Sequence, residues 1–179
     1  MKSAPEITLM PRFVANGDSL FAELQASVAW DERLRARKTA SFGVAYNYSG
    51  MVYPDVPMHP ELIPLCGQLQ EAVGFYPNNC LLNYYPDGSS TMGFHSDSTE
   101  ELADGTGVAI ISLGAEREIV FRNKADRSIE HVYPLPSGAL LYMPNEVQLD
   151  WLHGIPKKPG AGPRISLTFR LLANGKAEP

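Results

Sequence analysis

Three side chains of metal-binding type stand in the second half of this 179-residue chain: His95 and Asp97 in a His-x-Asp pair, and His153 in Trp151-Leu-His-Gly-Ile-Pro156. On an extended strand, residues two apart point to the same face, so His95 and Asp97 can reach one ion. The plainer alternative is two polar residues on a solvated strand face. With His153 as a third ligand, two imidazoles and one carboxylate leave three coordination positions open for a cosubstrate and dioxygen on Fe(II). Zn(II) with a bound water is the competing metal.

A second constellation closes the chain, in Arg164-Ile-Ser-Leu-Thr-Phe-Arg170. At period two, Arg164, Ser166, Thr168 and Arg170 share one face, and Ile165, Leu167 and Phe169 share the other. If the apolar face packs inward on helices, two guanidinium groups enter the interior, and buried arginines are costly unless an anion pairs with them. A dicarboxylate held by forked donors at both ends satisfies them. An edge strand with two solvated arginines is the alternative. The strand follows His153 closely, through a loop rich in glycine and proline.

Such side chains need a scaffold, and the hydrophobic pattern describes one. Asp18 is placed to cap a helix with Leu20, Phe21, Leu24 and Val28 on one stripe, ending near Trp30. Leu62, Leu65, Leu69, Ala72 and Val73 form a second stripe, with Pro64 in its first turn and Gly74 as its C-cap. After Asn79 come short β-branched and aromatic runs bounded by turn residues: 80–85, 107–113, 118–121, 129–135, 139–143, 149–155 and 164–172. Mainly β, in an α+β sense, this pattern predicts a β-sandwich or jelly roll backed by the two N-terminal helices.

Composition narrows the setting. One domain over residues 1–179 is expected from the length. No apolar run approaches the roughly 20 residues of a spanning helix, so no membrane partner is expected. Residues 1–10 hold no apolar signal core, and Cys66 and Cys80 are expected as buried thiols in a reducing cytoplasm. A monomer is expected. With 15 Lys+Arg against 20 Asp+Glu, net charge −5, the chain lacks a global basic footprint for phosphates.

The ordered set Asn83-Tyr-Tyr-Pro-Asp-Gly88, His95-Ser-Asp97, Ala109-Ile-Ile-Ser-Leu-Gly114, Phe121-Arg122, Gly138-Ala-Leu-Leu-Tyr-Met143, His153 and Arg164-x-Ser-Leu-Thr-Phe-Arg170 resembles the AlkB family of Fe(II)/2-oxoglutarate dioxygenases, from about Arg37 to Leu172. The resemblance implies a double-stranded β-helix of jelly-roll type, with His95, Asp97 and His153 as iron ligands. It places Arg170 on the distal carboxylate of 2-oxoglutarate, and Arg164, Asn83, Tyr85 and Ser166 around the cosubstrate. The implied reaction consumes 2-oxoglutarate and O2, releases succinate and carbon dioxide, and hydroxylates a substrate C–H bond. An N-methyl group treated this way leaves as formaldehyde.

The resemblance also makes residues 38–60 a substrate-recognition lid, with Tyr46, Tyr48 and Met51 on it and Tyr48 stacking on a damaged base. Ser98 and Thr99 stand where several family members carry acidic residues that read the base, and are assigned to the substrate. Alkylated DNA or RNA is the implied partner. Arg33, Arg35, Arg37 and Lys38 lie where a phosphate backbone would approach. The segment between Trp30 and Arg37 carries no apolar wedge to fill the gap left by a flipped base, which favours single strands over duplex. Two other readings stay open: an oxygenase acting on a small molecule or protein, and a non-catalytic zinc-binding jelly roll.

Overall fold

The computed structural model describes residues 3–173; residues 1–2 and 174–179 of the expected 1–179 domain lie outside the described residues. Its first half runs β1 (Thr8–Met10), α1 (Gly17–Ser27), β2 (Lys38–Gly43), β3 (Tyr46–Tyr48), β4 (Met51–Tyr53), a 3-10 turn (Pro60–Leu62) and α2 (Ile63–Val73). The second half runs β5 (Asn79–Tyr85), β6 (Met92–His95), β7 (Gly107–Gly114), β8 (Arg117–Asn123), β9 (Glu130–Leu135), β10 (Leu140–Pro144), α3 (Val147–Asp150), β11 (Trp151–Ile155) and β12 (Arg164–Arg170).

The strands form two larger antiparallel sheets and one hairpin. Six strands follow the order β1-β10-β7-β12-β5-β2, and four follow β6-β11-β8-β9, while β3 pairs with β4 alone. One face of the six-stranded sheet meets the helices: Leu20 and Leu24 of α1 and Leu65, Cys66 and Leu69 of α2 share a core with Cys80, Ile111, Ile165, Leu167 and Phe169. Its other face meets the four-stranded sheet, where Tyr85, Val108, Ile110 and Leu141 join Ile119, Phe121, Leu135 and Trp151. This is the predicted jelly roll backed by helices.

β12 lies between β7 and β5 and is buried along all seven residues. The edge-strand alternative therefore falls. The alternation splits as its period requires, with Ile165, Leu167 and Phe169 on the helix side and Arg164, Ser166, Thr168 and Arg170 on the inter-sheet side. Each large apolar side chain buried there contributes about 1.5–3 kcal/mol.

Local signals explain most ends. Pro64 sits in the first turn of α2 and Gly74 ends it at φ +89°; only a residue without a Cβ takes that conformation at little cost. Gly43, at φ +91°, ends β2 where an added Cβ would lie 2.0 Å from the Asn78 carbonyl oxygen. The chain can leave the sheet for the β3–β4 hairpin there because nothing projects from that residue.

Several expectations are corrected. Asp18 lies inside the first turn of α1 rather than capping it; Asn16 is the N-cap, and it makes no side-chain cap bond. Helix α1 stops at Ser27, short of Trp30. The strand expected from Leu149 begins at Trp151, because Val147–Asp150 closes a helical turn, and the last strand ends at Arg170. Within segment 38–60, Lys38–Gly43 pairs with β5 as an edge strand of the large sheet, and the following hairpin forms its ladder within itself and packs on Leu81 through Met51 and Tyr53. Both cysteines are free and buried, as expected, and burial pushes the Cys66 thiol up to about 11.

Candidate active site

His95 and His153 face each other directly across the β6–β11 ladder. Residues opposite one another on adjacent strands present their side chains to one face, and the two ring centroids lie 4.4 Å apart. Asp97 lies just beyond the end of β6, so the expected strand alternation stops at His95. Its carboxylate still closes the group: Oδ1 is 3.5 Å from His95 Nε2 and Oδ2 is 3.8 Å from His153 Nε2. One ligand atom from each of the three residues falls within 4.8 Å of the others.

Surrounding groups prepare these ligands. His95 Nδ1–H donates to the Gly93 carbonyl at 2.8 Å, which leaves the Nε2 lone pair toward Asp97 and His153. Burial pushes His153 down to about 4, so its imidazole is neutral at pH 7. Burial alone would raise the Asp97 carboxyl, but Arg170 and the two imidazoles outweigh it and hold the group well below the usual carboxylate range. For His95, burial acts downward, and the Asp97 carboxylate and Gly93 carbonyl more than offset it. Two neutral-capable imidazoles and one ionised carboxylate make a donor set that suits Fe(II) or Zn(II).

The group opens onto a pocket between the sheets. Asn83, Tyr85, Ile110, Arg164, Ser166, Thr168 and Arg170 line it from the large sheet, and Met92, Ile119, Leu135 and Ile155 from the small one. Arg170 lies at the metal end, with Nη2 3.5 Å from Asp97 Oδ1. Arg164 lies six residues along the strand, with Nε donating to Ser112 Oγ at 2.8 Å and its guanidinium 5.0 Å from the Tyr85 ring. Arg170 thus stands beside the ligand triad and Arg164 at the far end of the pocket.

The pocket walls hold donors without acceptors. Among the described residues, Arg164 Nη1, Arg170 Nε, Arg170 Nη1 and the Tyr85 hydroxyl are buried with no hydrogen-bond partner. Leaving such groups unpaired costs about 1–3 kcal/mol each, and more for charged ones. A purely structural zinc site has no use for them, whereas a dicarboxylate laid between the arginines supplies the missing acceptors. The residues present therefore fit both Fe(II) and 2-oxoglutarate.

The substrate-side residues divide. Tyr48 lines the pocket together with His95. Tyr46 stacks on Tyr48, with centroids 6.5 Å apart and planes inclined at 19°, and lies 4.8 Å from the Arg170 guanidinium. Met51 turns inward onto Tyr53 and Leu81 and braces the hairpin from beneath. Ser98 and Thr99 do not line the pocket, because the chain turns away after Asp97 toward the Thr99–Leu102 turn.

The basic run before the hairpin is mostly engaged within the protein. Arg33 pairs with Asp31 and Lys38 with Glu32 at 2.7 Å. Arg37 points inward, donating to Asn83 Oδ1 at 2.9 Å, to the Thr91 carbonyl at 3.2 Å and to the Tyr48 hydroxyl. Of the four, only Arg35 makes no ion pair or side-chain hydrogen bond among the described residues. Arg117 and Gln148 were not found from the sequence. Arg117 is fully buried and donates to the carbonyls of Ser90 at 2.9 Å and Pro156 at 2.6 Å, bracing the two loops behind the pocket. A lone arginine opening a strand carries no signal for that role.

Of the remaining histidines and Trp151, none joins the triad. His59 Nδ1 accepts from the Glu61 N–H, and His131 bonds the Ser3 carbonyl at 2.8 Å and packs edge-on against Trp151. Trp151 is buried in the inter-sheet core.

Comparison with known proteins agrees with this geometry. A family model described as the 2OG-Fe(II) oxygenase superfamily matches residues 19–170. The DNA oxidative demethylase ALKBH2 of Homo sapiens is 32% identical over 179 residues, covering 87% of this chain and 69% of the relative. The alpha-ketoglutarate-dependent dioxygenase alkB homolog 3 of Bos taurus is 33% identical over 186 residues, covering 92% and 65%. The solved structure of OsALKBH1 superposes with a TM-score of 0.69 at 19% identity, over 93% of this chain and 98% of that one, and bears out the fold. The chain therefore belongs to the 2OG-Fe(II) oxygenase superfamily, in its AlkB-like branch, and is an oxidoreductase that uses Fe(II), 2-oxoglutarate and O2.

Proposed function

We propose that this protein is an oxidative demethylase of N-alkylated bases in nucleic acid, acting on single strands. The observation that carries the reading is the joining of a His-Asp-His group to a pocket whose buried arginine N–H groups lack acceptors, beneath a hairpin bearing two stacked tyrosines. ALKBH2, the human relative, is named for oxidative demethylation of DNA. Among the described residues, Arg35 is the one unengaged cation in the run before the hairpin, which suits a short single-stranded ligand better than a long phosphate track.

His95, Asp97 and His153 hold the metal through two neutral imidazoles and an ionised carboxylate. Arg164 takes the far carboxylate of 2-oxoglutarate, with the Tyr85 hydroxyl as a further donor there. Arg170 steadies the near end while neutralising part of the Asp97 charge. Asn83 is held by Arg37 through Oδ1 and offers its amide hydrogens to the pocket. Ser166 fills the wall between the two arginines. Bound iron would activate O2, the oxidant, with 2-oxoglutarate as the co-reductant: one oxygen atom of O2 would end in succinate as carbon dioxide is lost, and the other on the substrate methyl carbon. The hydroxymethyl product then sheds formaldehyde and leaves the bare nitrogen. Tyr48 and His95 form the two walls against which a planar base can lie, and the apolar side chains around the pocket exclude water.

A coupled succinate assay tests this reading with oligonucleotides carrying 1-methyladenine or 3-methylcytosine, as DNA and RNA, in single and double strands. Succinate and formaldehyde should rise together, more with single strands than with duplex. Slow 2-oxoglutarate turnover that no methylated oligonucleotide stimulates would move the substrate to a small molecule or protein.

A further inference from the structure

The Asp97 ligand lies outside any strand, so no ladder hydrogen bond fixes its backbone. What does hold it is Gln148, whose Oε1 accepts the Asp97 backbone N–H at 2.8 Å. Gln148 is 3% exposed and belongs to α3, the four-residue turn that leads directly into β11 and His153. The turn is tied down in its own right: Lys124 Nζ donates to the Gln148 carbonyl at 2.6 Å, and the Lys124 N–H to the Asp150 carbonyl at 2.9 Å. The amide nitrogen of Gln148 rests toward Met143 Sδ at 3.8 Å, a weak contact that orients Oε1 toward Asp97.

We infer that Gln148 is a positioning residue for the metal centre, a clamp joining the segment that carries Asp97 to the segment that carries His153. The inference rests on His95, Asp97 and His153 holding a metal. Its physical basis is that a carboxylate on an irregular segment samples many positions, and each one away from the imidazoles weakens the site. The side-chain amide oxygen of Gln148 removes that freedom through one buried bond between two ligand-bearing segments. Groups that orient metal ligands typically alter affinity 10- to 100-fold when removed.

Co(II) titration of the metal-free protein, followed by visible absorption, separates this role from a packing role. Q148M keeps the length and apolar volume of the side chain and loses the oxygen. It should leave the metal-free melting temperature within a few degrees of wild type while weakening Co(II) binding about 10- to 100-fold. Q148E keeps an oxygen aimed at the Asp97 N–H and should bind Co(II) at least as tightly as wild type. Equal affinity in Q148M and wild type, or a loss in Q148E matching that in Q148M, would overturn the inference. Amide hydrogen exchange on the metal-free wild type gives an independent reading: the Asp97 amide should be protected, and an amide that exchanges like an exposed loop would refute the clamp whatever the variants do. Failure of the wild type to bind Co(II) would instead remove the metal reading on which the inference stands.

Discussion

Replacing Arg164 with methionine should separate fold from ligand in opposite directions. In the metal-free and cosubstrate-free protein this guanidinium is 1% exposed, keeps one hydrogen bond to Ser112 and the face of Tyr85, and has Nη1 unpaired. Burial lowers its affinity for its own proton, a sign of a charge held without an anion. Losing one hydrogen bond from the charged guanidinium and a cation–π contact costs about 2–5 kcal/mol, and relieving a partly unpaired buried charge returns about 1–4 kcal/mol. The melting temperature without ligand should thus stay within a few degrees of wild type. With 2-oxoglutarate the balance changes, because each hydrogen bond to a charged group is worth about 1.5–3 kcal/mol. One lost bond weakens cosubstrate binding about 10- to 150-fold, and a lost forked pair weakens it further. Calorimetric titration of 2-oxoglutarate under nitrogen, with Mn(II) in the metal site, measures that loss. The same samples in a thermal melt show whether ligand-induced stabilisation disappears with it. An R164M protein that binds 2-oxoglutarate within threefold of wild type would refute the assignment of the far carboxylate to Arg164. A collapse of the ligand-free melting temperature would refute the view that the charge is unpaired at rest.

Replacing His153 with Ala should abolish succinate formation while circular dichroism still shows the folded β signal; wild-type turnover would remove His153 from the metal site. For the metal-free protein, the unfolded chain takes up a proton at His153 below about pH 6.5, whereas the folded one resists until about 4. That contribution, at most about 3 kcal/mol and partly offset by the opposite shift of His95, is therefore complete above pH 6.5 and lost as pH falls toward 4. Urea midpoints that stay flat or rise over that interval would contradict it. Removing Arg35 should lower the salt slope of binding to a methylated single strand by about 0.7, whereas removing Lys38, already paired with Glu32, should change it little. Equal effects would show that the Lys38 pair opens on binding.

The parts of the fold readable in the sequence were those carried by long, regular patterns. The stripe in α2 with Pro64 and Gly74 at its ends, and the strict alternation of β12, each repeat one physical preference often enough to be unambiguous. β1, β3 and β4 have three residues apiece and β6 four, too few for a period to show. The triad was readable because His-x-Asp and a later histidine are sequence-local signals, and the β6–β11 register then places the histidines opposite each other. Asp97 reached the same place by a route that alternation did not describe, through a turn beyond the strand and a bond that its backbone N–H donates to Gln148. The basic run misled for a related reason. Charges at alternating positions look solvated in a sequence, and only the fold shows that Asp31 and Glu32 neutralise two of them and that Arg37 turns inward. Arg117 and Gln148 act through backbone groups, and a backbone partner leaves no mark on the sequence of either residue.

The central position of β12 bears on how this protein can change. A half-exposed strand has a silent side, where substitutions accumulate at little cost and give selection room to explore. All seven residues of β12 are buried, alternating between the helix-backed core and the wall of the active site. Random mutagenesis should therefore find a run of seven consecutive intolerant positions, failing alternately by loss of folding and by loss of turnover in an intact protein. Altered substrate preference would arise elsewhere, in the β3–β4 hairpin, where Val52 is 72% exposed and a new side chain displaces nothing.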